Sequence, residues 1–77
     1  MPELPSERVA RVLRERIASG ELQPGQRLPT TSQLAEELHC SRGSVVAGIR
    51  TLVSEGLVIT RQRWGSWVAG GPGQDAP

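Results

Sequence analysis

Hydrophobic residues recur at helical spacing through roughly the first quarter of the chain, with charged residues between them. This pattern predicts an amphipathic helix, which we expect to be capped by Ser6 and to end at Gly20. The residues of its apolar stripe are Val9, Ala10, Val12, Leu13 and Ile17. The arginines interspersed with them, which we expect to face solvent, are Arg8, Arg11, Arg14 and Arg16.

A second helix is predicted near Thr31, because Thr30 and Gln33 form the Thr-x-x-Gln pattern of a capping box. Its apolar positions at helical spacing are Leu34, Ala35 and Leu38. The next residue, His39, is expected to adopt a left-handed turn conformation, since histidine is enriched at positive φ relative to most non-glycine residues. The second helix should therefore be short.

A third helix is predicted between Ser41, which would cap it, and Gly56, which would end it. Its expected buried face consists of Val45, Ile49 and Leu52, and another face carries Arg42, Val46 and Arg50 four residues apart. Gly48 is expected to let two helices approach closely. Two helices joined by a turn of about three or four residues form a helix-turn-helix, in which the start of the second helix meets the DNA bases.

The pattern becomes strand-like after the third helix. Residues 57–60 favour β structure, residues 66–68 form a second short run, and Gly65 lies near the tip between them, which predicts a β-hairpin. A turn at Pro24 and Gly25 leaves room for a minimal strand only. The expected fold is mainly α with a small β-hairpin (α+β), that is, a winged helix-turn-helix of three helices plus a two-stranded wing.

The length of 77 residues suits one small domain with a modest core. We expect a flexible N-terminus at residues 1–5, the folded domain at 6–68, and a disordered tail or the start of a linker at 69–77. There is no apolar run long enough to span a membrane and no secretory signal pattern. The single cysteine, Cys40, fits a reducing cytoplasm, and we expect it to be a small buried hydrophobic residue.

The net charge of +1 conceals an uneven distribution. Residues 41–68 carry four arginines and one acidic residue, which gives +3, whereas residues 1–40 carry five arginines and six glutamates, which gives −1. All nine basic residues are arginine, whose guanidinium group makes bidentate contacts with phosphate and guanine. Because the excess is small, an ordinary solvated surface explains it equally well.

The sequence does not indicate an enzyme, a cofactor or a metal site. It has no nucleophile–base pairing, no phosphate-binding glycine loop and no carboxylate cluster beyond Glu36 and Glu37. One histidine and one cysteine are too few to hold zinc. We therefore expect a binding domain that has neither catalytic activity nor an effector-ligand site.

Several fragments, in this order and spacing, resemble the DNA-binding domain of the GntR family of bacterial transcription regulators. These fragments are residues 16–29, 34–38, 41–45, 52–58 and 65–68. The resemblance covers residues 9–68. It implies a recognition helix at 42–54 in the major groove of double-stranded DNA, and a wing at 61–65 on the backbone or minor groove. It also implies a palindromic operator.

The candidate DNA-binding residues come from the start of the second helix, the recognition helix and the wing. They are Thr30, Thr31, Ser32, Arg42, Gly43, Ser44, Val46, Arg50, Arg61, Arg63, Trp64 and Gly65. Arg42 is expected to contact guanine or phosphate, and Arg50 to contact mainly phosphate. Arg61 and Arg63 fit contacts to the DNA backbone or the minor groove.

The chain departs from the family pattern at several of these positions. Ser32 and Val46 stand where relatives typically have arginine. Val46 could contact a thymine methyl group or could mark a lost contact. Trp64 could pack against the sugar-phosphate wall or against another protein. Trp67 is expected in the core, because the matching family position holds a core aromatic residue.

These expectations favour a sequence-specific DNA-binding transcription regulator, specifically a repressor, in the cytoplasm. The alternative is a winged helix that serves as a protein-interaction module with weak or lost DNA binding. Relatives usually carry a larger effector-binding or dimerisation domain after the wing, and the chain has none. We therefore expect a homodimer on DNA that is weakly associated or monomeric when free.

Overall fold

Three helices and one antiparallel hairpin follow each other along the chain. The computed structural model describes residues 2–61 and 65–70. The elements are α1 (Pro5–Ser19), α2 (Thr31–Leu38), α3 (Arg42–Ser54), β1 (Val58–Arg61) and β2 (Gly65–Val68). The two strands pair from Val58 opposite Val68 to Arg61 opposite Gly65. The predicted winged helix-turn-helix, with three helices and a two-stranded wing, is confirmed.

The start of α1 differs from the prediction, because Leu4 and not Ser6 is the N-cap. Pro5 occupies the first helical position, where its missing N–H costs nothing and its fixed φ suits a helix. The Glu7 carboxylate accepts a hydrogen bond of 2.9 Å from the Leu4 N–H. Proline and the acidic side chain together start the helix without a hydroxyl cap. At the other end, Gly20 adopts the predicted left-handed conformation, with φ of 87°.

Local capping sets the bounds of α2 and α3 as predicted. The Thr30 hydroxyl accepts from the Gln33 N–H at 3.1 Å, and the Gln33 side chain accepts from the Thr30 N–H at 2.9 Å. His39 ends α2 with φ of 54°. The Ser41 hydroxyl then accepts from the Ser44 N–H at 3.1 Å and starts α3. These caps define the turn of the helix-turn-helix.

A short extended segment, residues 26–28, lies against the wing. After the turn at Pro24 and Gly25, the Leu28 N–H donates to the Ser66 carbonyl at 2.8 Å. Arg27 also forms an isolated antiparallel bridge with Trp67. Strand β2 therefore has a backbone partner on each of its two edges. The sequence predicts a minimal strand here, but not this pairing.

The core lies between α1, α2, α3 and the inner face of the wing. Its buried hydrophobic residues are Val9, Ala10, Leu13, Leu22, Leu28, Leu34, Val45, Ile49, Leu52, Val58 and Val68. Gly48 is buried where α3 meets α1. A Cβ atom at this position would lie 2.6 Å from Val9 Cγ1. The prediction that Gly48 allows close helix approach is confirmed.

Two residues predicted in the core lie at its edge. Trp67 is half-buried, because side chains alternate along β2 and its neighbour Val68 takes the inward position with an exposed fraction of 1%. The expectation of a core tryptophan is therefore wrong. Cys40 packs against the core but is also only half-buried, since it lies in the turn directly after the end of α2.

Candidate nucleic-acid interface

One face of α3 presents cationic and apolar groups to solvent. Arg42, Val46 and Arg50 are all exposed, and their spacing of four residues places them along one side of the helix. Among the residues that the structure describes, neither arginine has a carboxylate within ion-pair distance. Two guanidinium groups on this face are therefore available to an external anion.

The arginines of α1 are different, since each one has a partner within the protein. Arg8 donates to the Leu38 carbonyl at the end of α2. The carboxylates paired with the remaining three are Glu3 and Glu15 with Arg11, Glu55 with Arg14, and Glu21 and Glu37 with Arg16. The prediction that all of these arginines face solvent is wrong for Arg8, Arg14 and Arg16, which are half-buried. Of these, Arg8 and Arg16 contact residues of α2. Their charge ties α1 to α2.

The pair between Arg14 and Glu55 affects the electrostatics of the candidate interface. Glu55 is the C-cap of α3, and Arg14 Nη2 lies 2.6 Å from its Oε2 atom. This hydrogen bond lowers the pKa of the Glu55 carboxyl below its ordinary value. Arg14 thus neutralises the nearby acidic group of α3. The exposed face of the helix keeps its positive charge.

The start of α2 borders a groove that also touches the wing. Candidate residues that line it are Thr30, Thr31, Arg61 and Gly65. The Thr30 hydroxyl is occupied by its capping bond, whereas the first N–H groups of a helix have no intrahelical acceptor. Thr31 and Ser32 therefore offer main-chain donors at the positive end of the α2 dipole. The fold thus brings candidate residues from α2, β1 and β2 to one groove.

Arg27 is a residue of this region that the sequence analysis did not identify. Its guanidinium carbon lies 5.7 Å from the centroid of the Trp67 ring, within cation–π range. A Cβ atom on Gly65 would lie only 2.9 Å from Arg27 Nη2. Arg27 thus packs across β2 near the wing tip. The sequence feature that could have indicated this position of Arg27 is the predicted turn at Pro24 and Gly25, because it reverses the direction of the chain just before residues 26–28.

The remaining candidates occupy varied positions. Gly43 is exposed in the first turn of α3, and Ser44 is half-buried, with its hydroxyl 3.0 Å from that of Ser41. Arg61 is exposed at the end of β1 and has an interaction within the protein. Arg63 and Trp64 lie outside the described residues.

Residues 2–61 and 65–70 contain no group of three or more histidine, cysteine, aspartate or glutamate side chains arranged to hold a metal ion. Within the same ranges, every helix is too short or too polar to cross a bilayer. The two cationic side chains without a carboxylate partner in the described part of α3 remain those of Arg42 and Arg50.

A comparison with protein families identifies this arrangement. The sequence pattern of the bacterial regulatory proteins of the gntR family matches residues 5–68, which include all three helices and both strands. The chain belongs to the GntR family. This match confirms the resemblance found in the sequence.

Relatives of the chain include proteins named as repressors. The mannosyl-D-glycerate transport/metabolism system repressor MngR of Escherichia coli is 42% identical over 60 residues, which are 78% of this chain and 25% of that protein. The histidine utilization repressor of Pseudomonas aeruginosa is 36% identical over 69 residues, which are 90% of this chain and 28% of that protein. The chain spans about a quarter of the length of these two relatives.

Solved structures of DNA complexes share the fold. The DNA-binding domain of AraR in complex with operator ORE1 has a TM-score of 0.86 and 29% identity, and the match covers 90% of this chain and 84% of that one. The same domain bound to operator ORR3 has a TM-score of 0.85 and 29% identity, over 90% and 83% of the two chains. These similarities favour DNA binding over the alternative of a protein-interaction module.

Proposed function

We propose that this chain is the DNA-binding part of a transcription repressor, and that it binds double-stranded DNA in a sequence-specific way with α3 in the major groove. The observation that carries the proposal is the exposed face of α3. Arg42 and Arg50 have no carboxylate partner among the described residues, whereas each arginine of α1 is held by a partner within the protein. Unpaired guanidinium groups on the second helix of this motif suit contact with DNA.

The two arginines have different roles in this proposal. Arg42 lies in the first turn of α3, where side chains of a helix-turn-helix reach base edges, and it reads guanine. Arg50 lies two turns further along and contacts phosphate. Gly43 and Ser44 bring the main chain at the start of α3 close to the DNA backbone.

The start of α2 and the wing hold the domain on the backbone. Thr31 and Ser32 contact a phosphate group through the N–H groups at the α2 terminus, and Thr30 holds that terminus in place through its capping box with Gln33. Arg61, Arg63, Trp64 and Gly65 place the wing on the backbone or minor groove. These contacts set the orientation of α3, whereas α3 itself supplies the sequence preference.

We also propose that two copies bind a palindromic operator in the cytoplasm and that the free chain is monomeric. One short helix reads few bases, and two half-sites multiply its discrimination. Sedimentation should give a monomer at micromolar concentration and two chains on each palindromic duplex. A dimer that is stable without DNA would contradict this part of the proposal.

The test of DNA binding combines selection from a random duplex pool with salt titrations on the selected sequence. We expect Arg42→Ala to cost about 1–3 kcal/mol of binding free energy and to relax preference at one base position. Arg50→Ala should weaken binding to all sequences and reduce the slope of log K against log salt by about one. The matched control is Arg11→Ala, since Arg11 is also an exposed arginine on a helix but pairs with Glu3 and Glu15.

The possible outcomes separate the proposal from its alternative. The control variant should bind DNA with unchanged affinity and slope. If no duplex forms a complex at low salt, the chain is not a DNA-binding domain and the interaction-module alternative is favoured. If Arg42→Ala weakens binding to all sequences equally, the assignment of base reading to Arg42 is wrong.

A further inference from the structure

Val46 is an aliphatic side chain placed between two cations on the surface of α3. Its exposed fraction is 40%, and the other large hydrophobic residues that are exposed in the described part of the chain are Leu4 and Val53. Arg42 and Arg50 lie one helical turn before and after it. The isopropyl group lies outside the hydrophobic core and is accessible to a binding partner.

The chemistry of the valine side chain restricts what it can recognise in a DNA groove. It has no hydrogen-bond donor or acceptor, so it cannot read the polar edges of guanine, cytosine or adenine. The C5-methyl group of thymine is an apolar feature of the major groove and is read by apolar contact. Val46 lies about 6 Å along the helix axis from Arg42, which places it within about two base-pair steps of the base that Arg42 faces.

We propose that Val46 is a specificity-determining residue, which selects thymine at one position of each half-site by contact with its C5-methyl group. This inference rests on the proposed function, since it requires α3 to lie in the major groove. Removal of that methyl group from the DNA should weaken binding about fourfold, which corresponds to about 0.8 kcal/mol for one buried methylene-sized group. No hydrogen bond is gained or lost in this change.

Val53 provides a matched control on the same helix. It is also a valine with an exposed fraction of 40%, and it lies seven residues beyond Val46, so it points to nearly the same side. However, it belongs to the last turn of α3, whereas base contacts in this motif come from the N-terminal part of the helix. If any exposed valine affected DNA binding, substitution of either valine would change the affinity. If Val46 contacts a base, only its substitution changes the response to the thymine methyl group.

The experiment uses the selected operator with each thymine replaced in turn by uracil, which lacks the methyl group but keeps every hydrogen-bonding atom. We expect the wild-type chain to lose about fourfold in affinity at one thymine per half-site. Val46→Ala should lose most of this difference at that position, because its shorter side chain leaves less apolar surface against the methyl group. Val53→Ala should keep the wild-type difference. Circular dichroism should show that both variants remain folded, because exposed substitutions usually change stability little.

Three results would overturn the inference. In the first, the wild-type chain binds the operator but no uracil substitution changes its affinity. In the second, Val46→Ala remains as sensitive to the methyl group as the wild-type chain, or Val53→Ala loses that sensitivity. Both results leave DNA binding itself intact. In the third, no duplex is bound at low salt, which also refutes the proposed function.

Discussion

Replacing Gly48 by alanine tests the close approach of α1 to α3. A Cβ atom at this position would lie 2.6 Å from Val9 Cγ1, 2.7 Å from Val9 Cβ and 2.9 Å from the Ser6 carbonyl oxygen. Val9 is completely buried, and the Ser6 oxygen belongs to the backbone of α1. Neither contact can be relieved by rotation of a flexible side chain. The added methyl group must therefore displace α1 from α3.

The expected size of the effect follows from two opposing terms. Alanine raises helix propensity by about 1 kcal/mol over glycine, whereas overpacking of a core costs about 1–3 kcal/mol. The Gly48→Ala variant should therefore lose up to about 2 kcal/mol of unfolding free energy. Gly43→Ala is the matched control on the same helix, because the nearest atom to its added Cβ is Ser41 Oγ at 3.8 Å. It should be neutral or gain up to about 1 kcal/mol.

Thermal unfolding followed by circular dichroism measures this difference. The gain in helix propensity applies to both variants, so the overpacking cost of about 1–3 kcal/mol separates them. A change of 1 kcal/mol shifts the Tm of a domain of this size by about 4–8 °C, so Gly48→Ala should melt at least about 4 °C below Gly43→Ala. If the two variants were equally stable, the helices would not approach as closely as described. As a further check, Val9→Ala removes the Cγ1 atom that the added methyl group would meet. The double variant should therefore lose less unfolding free energy than the sum of the losses in Val9→Ala and Gly48→Ala.

Two further predictions concern ion contacts. Because hydrogen bonding with Arg14 lowers the pKa of Glu55 below its ordinary value of 4.5, the pair stabilises the fold fully above that value and loses its contribution as pH falls towards the lowered pKa. The melting temperature of wild type should exceed that of Glu55→Gln most at pH 7, and the difference should shrink as pH falls below 4.5. A difference that does not shrink in acid would contradict this. Arg27→Ala should lower the unfolding free energy by about 0.5–1 kcal/mol in urea titrations, and Arg27→Lys should recover part of it. Unchanged stability in Arg27→Ala would show that stacking on Trp67 does not support the wing.

The helix-turn-helix could be predicted closely because its boundaries depend on neighbouring residues. The capping box of Thr30 and Gln33 joins residues three positions apart. Ser41 likewise caps the third residue after it, and His39 carries its own backbone preference. In each case the interacting groups lie within one helical turn. No knowledge of the tertiary structure is needed to place them.

The features that were missed depend on contacts between distant parts of the chain. Arg14 and Glu55 are 41 positions apart, and nothing in the local sequence pairs them. On β2, Val68 and not Trp67 points into the core. This orientation depends on how the hairpin packs against the core, which the local sequence does not show. Arginines spaced along one side of a helix predict a solvated face, because the sequence does not show which carboxylates lie opposite them in the fold. The prediction therefore failed for side-chain partners while it succeeded for helices.

The pairing of the α1 arginines explains how a chain with a net charge of only +1 can present a cationic face. Since those arginines are held by partners within the protein, the charge that α3 offers to DNA comes from Arg42 and Arg50, which have no carboxylate partner among the described residues. In the proposed function Arg42 reads a base and Arg50 contacts phosphate, so α3 contributes about one to the salt slope of each chain. The non-specific attraction that α3 itself supplies is then small. In the proposed function, the remaining affinity comes from base contacts, from the contacts of the α2 terminus and the wing, and from two chains on one symmetric site, so sequence specificity depends on the binding of both chains.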